Sequence, residues 1–204
     1  MNYFITAIGT DSGKTLISAA LAKAINADYW KPIQAGFPTD TDTVKALTHD
    51  EIKIHPEHII LQTPASPHAA AAIENIDLRI RDISAPSTAN NLIIEGAGGC
   101  MVPINHQEMM IDLAPYFKAE IVLISNNYLG SINHTLLTIE LIKKRGYKIK
   151  GIIFNGSPNQ PTEEVILKYT KLPCIHKVLP LKEVDYNSVD KLSNELRISW
   201  NELD

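Results

Sequence analysis

The chain has 204 residues, 45% of them hydrophobic and 21% charged, an ordinary globular composition with length enough for one sizeable core. A formal charge of −4, with no basic cluster beyond Lys143-Lys144-Arg145, argues against nucleic acid as the main partner. The two cysteines, Cys100 and Cys174, lie far apart outside any C-x-x-C and indicate neither a disulfide framework nor a zinc site. No run of about 18 apolar residues and no basic leader segment is seen, so a cytoplasmic protein without a membrane partner is expected.

The first unit is residues 2–15, NYFITAIGTDSGKT, in which a β-branched and aromatic run meets a polar loop closed by Gly13-Lys14-Thr15. That is a strand feeding a phosphate-binding loop. Leu16, Ile17, Ala19, Ala20, Leu21, Ala24 and Ile25 follow at helical spacing, so the loop's N–H groups sit at a helix N-terminus, which attracts anions. In this chemistry Gly13 admits the polyphosphate, Lys14 reaches the β- and γ-phosphates and the Thr15 hydroxyl meets Mg²⁺. The candidate nucleotide contacts here are Asp11, Ser12, Gly13, Lys14, Thr15 and Leu16. The loop is a variant: Ile8 stands where the usual pattern has its first glycine, and Gly9 comes one place later.

Further apolar strand-like runs cover residues 29–33, 58–62, 91–95, 120–125, 149–155 and 174–179, with amphipathic stretches between them. The clearest helices are 132–145, stopped by Gly146, and 161–169, opened by Pro161 with Glu163 and Glu164 in its first turn. Near-continuous apolar strands separated by helices predict an α/β fold, a doubly wound, mostly parallel sheet with helices on both faces. Without repeats, low-complexity tracts or Gly/Ser linkers, residues 1–204 read as one domain.

In such a sheet the ligand lies across the carboxyl ends of the strands, so polar residues there are the candidates. Lys31, in Trp30-Lys31-Pro32, sits where Pro32 and Gly36 loosen the second strand. It is either a solvated edge lysine or a second cation aimed at a transferring phosphate or a substrate anion. In Thr39-Asp40-Thr41-Asp42-Thr43 one carboxylate suits a helix cap and the other a Mg²⁺ site, and the sequence does not say which. Ser66 and Pro67 read as the N-cap and first residue of a helix. Glu95 ends an apolar strand where P-loop proteins keep a metal-side acid, and Gly96, Ala97, Gly98 and Gly99 follow at once. Asn155-Gly156 and Pro180-Leu181 end the last two strands. The Asn is equally suited to an adenine edge and to a turn.

Together, GTDSGKT, WKPIQAG, the TDTD acids, SPH, IEGAGG, the run Asn126 to His134, FNG and LPL resemble the dethiobiotin synthetase family over most of the chain. The resemblance implies a P-loop NTPase-like fold and an ATP- and Mg²⁺-dependent ligase that joins CO₂ to 7,8-diaminononanoate. It implies that Lys14 and Lys31 act on the reacting groups, that Thr15, Asp42 and Glu95 face the metal, and that Gly96, Ala97 and Gly98 border the nucleotide. Asn155, Gly156, Pro180, Leu181 and Lys182 would hold adenine. Substrate contacts would come from Lys31, Ala35, Gly130, Ile132 and Asn133, in a homodimer with sites at its interface. Ala35 stands where relatives usually carry Ser or Thr, so a hydroxyl contact there is absent. A partition-type ATPase would want a lysine at Gly9 and Asp at position 95, and a small-molecule kinase an Arg-rich lid that residues 158–172 lack.

Overall fold

The computed structural model describes residues 1–203. Its chain runs β1 (Asn2–Ala7), α1 (Lys14–Ala24), β2 (Asp28–Trp30), β3 (Ile33–Ala35), α2 (Asp40–Thr48), β4 (Ile54–His55), β5 (Ile59–Leu61), α3 (Pro67–Ile73), β6 (Leu92–Gly99), α4 (Leu113–Tyr116), β7 (Ala119–Asn126), α5 (Ser131–Lys144), β8 (Ile149–Asn155), α6 (Gln160–Thr170), β9 (Cys174–Val178) and α7 (Tyr186–Asn201). Seven strands form one sheet in the order β4-β2-β6-β1-β7-β8-β9, and every pairing in it is parallel. β1 is central, flanked by β6, which carries Glu95, and β7.

Alternation along the strands divides the core between the two faces. Tyr3 and Ile5 of β1 pack with Ile17, Leu21, Val44, Leu192 and Leu196 beneath α1, α2 and α7, whereas Phe4 points to the opposite cluster with Ala70, Leu113 and Ile142. β1 is therefore apolar on both sides, as the centre of a sheet covered twice by helices requires.

The expected single strand at 29–33 is two. β2 stops at Trp30, and β3 leaves the main sheet to pair with β5 in a separate two-stranded parallel sheet. Pro32 has no N–H to continue the ladder, and its carbonyl instead accepts from the backbone N–H groups of His58 and Ile59, both at 3.1 Å. Lys31 lies at that break. Beyond the last strand-like run expected from the sequence, α7 fills 186–201. Its signal is present: Val189, Leu192, Leu196 and Trp200 recur on one face, and Asp185 caps the first turn by accepting from Ser188 N at 2.8 Å.

Candidate active site

The loop after β1 is built by its own backbone requirements. Gly13 adopts φ +85°, and the space a Cβ would fill is taken by the Asn155 carboxamide. Asn155 Nδ2 donates to the Ser12 carbonyl at 2.9 Å, while Ser12 Oγ donates to Gly9 O at 3.1 Å and to Asn126 Oδ1 at 2.8 Å. The ends of β7 and β8 thus hold the loop in shape before any anion arrives. Lys14, the first helical residue, folds back over the loop with Nζ 3.4 Å from Gly9 O. Burial, the largest influence, and the charge of Lys31 lower its pKa against the pull of Glu95.

Beside the loop stands a polar cluster centred on Glu95, which is 1% exposed. Its Oε1 accepts from the Thr15 hydroxyl at 3.0 Å and from Lys31 Nζ at 3.2 Å, and its Oε2 accepts from the Tyr29 phenol at 3.0 Å. Lys31 is also ion-paired with Asp40. Burial works against the Lys31 ammonium, but Glu95 and Asp40 outweigh it and hold the pKa above the ordinary 10.5. The edge-lysine reading therefore fails: Lys31 is 3% exposed and lies between two carboxylates. Burial works against the Asp40 carboxylate, but Lys31, with Thr15 and Glu95, outweighs it and holds the pKa below the ordinary 3.8. Gln34 steers Asp40 inward by accepting from its backbone N–H at 3.2 Å while donating to Gly36 O at 3.0 Å.

Asp42, expected at the metal, stands elsewhere. It is exposed, its Oδ2 accepts from the Thr39 hydroxyl at 2.8 Å, and its N–H donates to Thr39 Oγ1 at 3.0 Å, so it belongs to the α2 cap. The carboxylate beside Lys31 and Glu95 is Asp40. At Gly96 a Cβ would come within 2.9 Å of Phe4 Cζ, so the glycine lets β6 pack closely against β1. Asp11, Ser12, Gly13, Leu16, Ala35, Ala97 and Gly98 border the cavity of about 750 Å³ that also contains Lys14, Thr15, Lys31, Asp40 and Glu95. Asn155 reaches the loop from behind, Gly156 N donates to Val178 O at 2.9 Å, and Pro180, Leu181 and Lys182 follow β9 on that same far side. Gly130 and Ile132 line a different concavity of about 320 Å³ with Asn127 and Thr162, and Asn133 follows in the first turn of α5. The sequence gives Tyr29, Gln34 and Asn126 no individual role at the site. Tyr29 had one signal, since it lies two residues before Lys31 in an extended segment and so shares its side.

A parallel sheet whose central strand runs into a Gly-Lys-Thr loop, with a buried acid within the neighbouring strand, defines a P-loop nucleotide-binding enzyme. A model of the AAA domain family matches residues 1–188. The fold is similar to that of a ParA family ATPase from Chlorobium tepidum (TM-score 0.62, 14% identity, 98% of this chain and 96% of that one). It is also similar to that of the cell division ATPase MinD from Pyrococcus furiosus (TM-score 0.57, 13% identity, 100% and 99%). The sequence is 48% identical to the ATP-dependent dethiobiotin synthetase BioD of Cytophaga hutchinsonii over 98% of each chain. It is 47% identical to that of Christiangramia forsetii over 87% of this chain and 86% of that one. The chain belongs to the dethiobiotin synthetase family. Among the described residues no helix is long and apolar enough to cross a membrane.

Proposed function

We propose that the protein forms dethiobiotin from 7,8-diaminononanoate, CO₂ and ATP. One amine takes up CO₂ as a carbamate, a carbamate oxygen attacks the γ-phosphate and ADP leaves. The second amine then attacks the carbonyl of the mixed anhydride, closing the ureido ring and expelling phosphate. The observation that carries this reading is Lys31, a buried ammonium beside the phosphate loop in the same cavity as Lys14. Carbamate and triphosphate repel, and two unit charges 4 Å apart feel roughly 4 kcal/mol at an effective dielectric of 20. Preorganised cations offset that term as the oxygens approach. With its pKa above 10.5, Lys31 stays charged at neutral pH, which suits an electrostatic stabiliser and not a proton acceptor.

The donor set fits magnesium: a hydroxyl and a carboxylate in contact, Thr15 and Glu95 at 3.0 Å, with Asp40 sharing Lys31 with Glu95. Two hard anionic oxygens and a hydroxyl form the partial set that Mg²⁺ takes when phosphates and waters supply the remainder. Thr15, Asp40 and Glu95 would hold the ion, and its chemistry there is to neutralise charge on the β- and γ-phosphate oxygens.

For the other end of the substrate we propose a second copy of the chain in a C2 dimer. Gly130 and Ile132 line the concavity at the α5 N-terminus, where the positive end of the helix dipole suits the substrate carboxylate. The test of the reaction is product analysis with ATP, labelled bicarbonate and the diamine. Label should enter the cyclic product, and phosphate should appear only when diamine and CO₂ are both present. Equal ATP turnover without diamine overturns the reading in favour of a switch ATPase.

A further inference from the structure

We infer that Tyr29 is a positioning residue for the phosphoryl-transfer step, holding the Glu95 carboxylate so that Oε1 faces Lys31 and Thr15. The inference rests on the metal role proposed for Glu95 and goes one shell outward from it. Glu95 is buried, and a carboxylate on a single torsion can turn its two oxygens unless both are held. Oε1 receives two donors, at 3.0 and 3.2 Å, both from the reacting side of the cavity. Oε2 receives the phenol of Tyr29 at 3.0 Å from the neighbouring strand. Without that third donor the plane of the carboxylate is held from the cavity side alone, at one of its two equivalent oxygens.

The phenol is itself firmly set. Tyr29 is 0% exposed, its ring lies in the core cluster with Ile17, Val44 and Leu47, and its backbone is registered opposite Ile93 in the β2–β6 pairing. β2 therefore delivers Tyr29 and, two residues on, Lys31 to the same carboxylate, one from the core side and one from the cavity. Outer partners that orient a ligating carboxylate typically contribute about 10- to 100-fold in metal affinity or activity.

The experiment is a cycle of Tyr29→Phe, Glu95→Gln and the double variant. Each is measured for ATP affinity by calorimetry with and without Mg²⁺, and for kcat and KM. Tyr29→Phe keeps the ring and removes only the O–H. We expect its metal-free ATP affinity to be unchanged, the gain in affinity on adding Mg²⁺ to fall roughly 10-fold, and kcat to fall by a similar factor with little change in KM for ATP. In the Glu95→Gln background the further Tyr29→Phe change should have almost no effect on either quantity. Losses that simply add, or a Tyr29→Phe enzyme with an intact Mg²⁺ gain and kcat, overturn the positioning role and leave the proposed reaction standing. A Glu95→Gln protein with wild-type Mg²⁺ dependence overturns the metal site itself. Should Tyr29→Phe fold poorly, 3-fluorotyrosine in place of the tyrosines of the chain tests the same bond. It then predicts a Mg²⁺ gain altered in the wild type and unaltered in Glu95→Gln, and an equal effect in both sinks the idea.

Discussion

Lys31→Met keeps most of the side-chain stem and removes the charge, leaving Glu95 and Asp40 facing each other without their shared cation. At 3.2 Å and an effective dielectric of 20, the Lys31–Glu95 attraction is about 5 kcal/mol before desolvation is subtracted. Removing one partner of a buried pair commonly destabilises by about 3–5 kcal/mol. Here the low end applies: Glu95 keeps donors from Thr15 and Tyr29, and the Asp40 side chain is 34% exposed, so water screens that arm. A loss of about 3 kcal/mol in a chain of this length corresponds to a Tm lower by roughly 6–12 °C. The raised pKa of Lys31 makes its contribution complete below the unfolded lysine value and lost as pH rises through the higher folded one. The lowered pKa of Asp40 makes its contribution complete above the unfolded carboxylate value and lost as pH falls through the lower folded one. Differential scanning calorimetry at pH 7.5, roughly midway between the reference values, therefore reads the whole effect. Millimolar Mg²⁺ should recover part of the lost Tm in the variant by binding the freed carboxylates. In the steady state kcat should fall roughly 10²-fold or more, with metal-free ATP affinity largely retained. A variant that melts within about 2 °C of wild type refutes the stability argument, and one whose kcat stays within about threefold removes Lys31 from the chemistry.

Asp40→Asn should lower kcat roughly 10²-fold, whereas Asp42→Asn should leave kcat within about twofold and cost no more than about 1 kcal/mol through the α2 cap, read by urea unfolding. The reverse pattern would return the metal-side role to Asp42. For the dimer, Lys31→Ala and Asn133→Asp chains, each inactive alone, should regain activity when mixed under subunit exchange, because one site of each mixed pair is intact. Exchange verified by mass with no activity recovered places the carboxylate contact within a single chain.

Much of the site could be read along the chain because its parts are local. A strand, a glycine needing positive φ and a lysine at the first turn of a helix are neighbours in sequence, and the physics joining them acts over a few residues. Glu95 was legible for the same reason, as a carboxylate after an apolar run, although β6 continues past it to Gly99. Lys31 was visible as an oddity, a cation before a proline that ends a ladder, but its burial was not, because that depends on β2 lying against β6.

The choice between Asp40 and Asp42 shows the limit. In a helix two residues are about 200° apart around the axis, so only one of the pair can face the cavity. Which one does so is set by the path of the chain into α2, where Gln34 holds the Asp40 N–H, and by Thr39 taking Asp42. Tyr29 is a similar case: alternation puts it on the side of Lys31, but its partner stands 66 residues away on another strand. The alternation of apolar residues determined the layered sheet, and the loop's own backbone needs determined the phosphate site. The pairing of distant strands decided which carboxylates meet Lys31, because ion pairs and hydrogen bonds between side chains form only where separate elements have already been brought within about 3 Å.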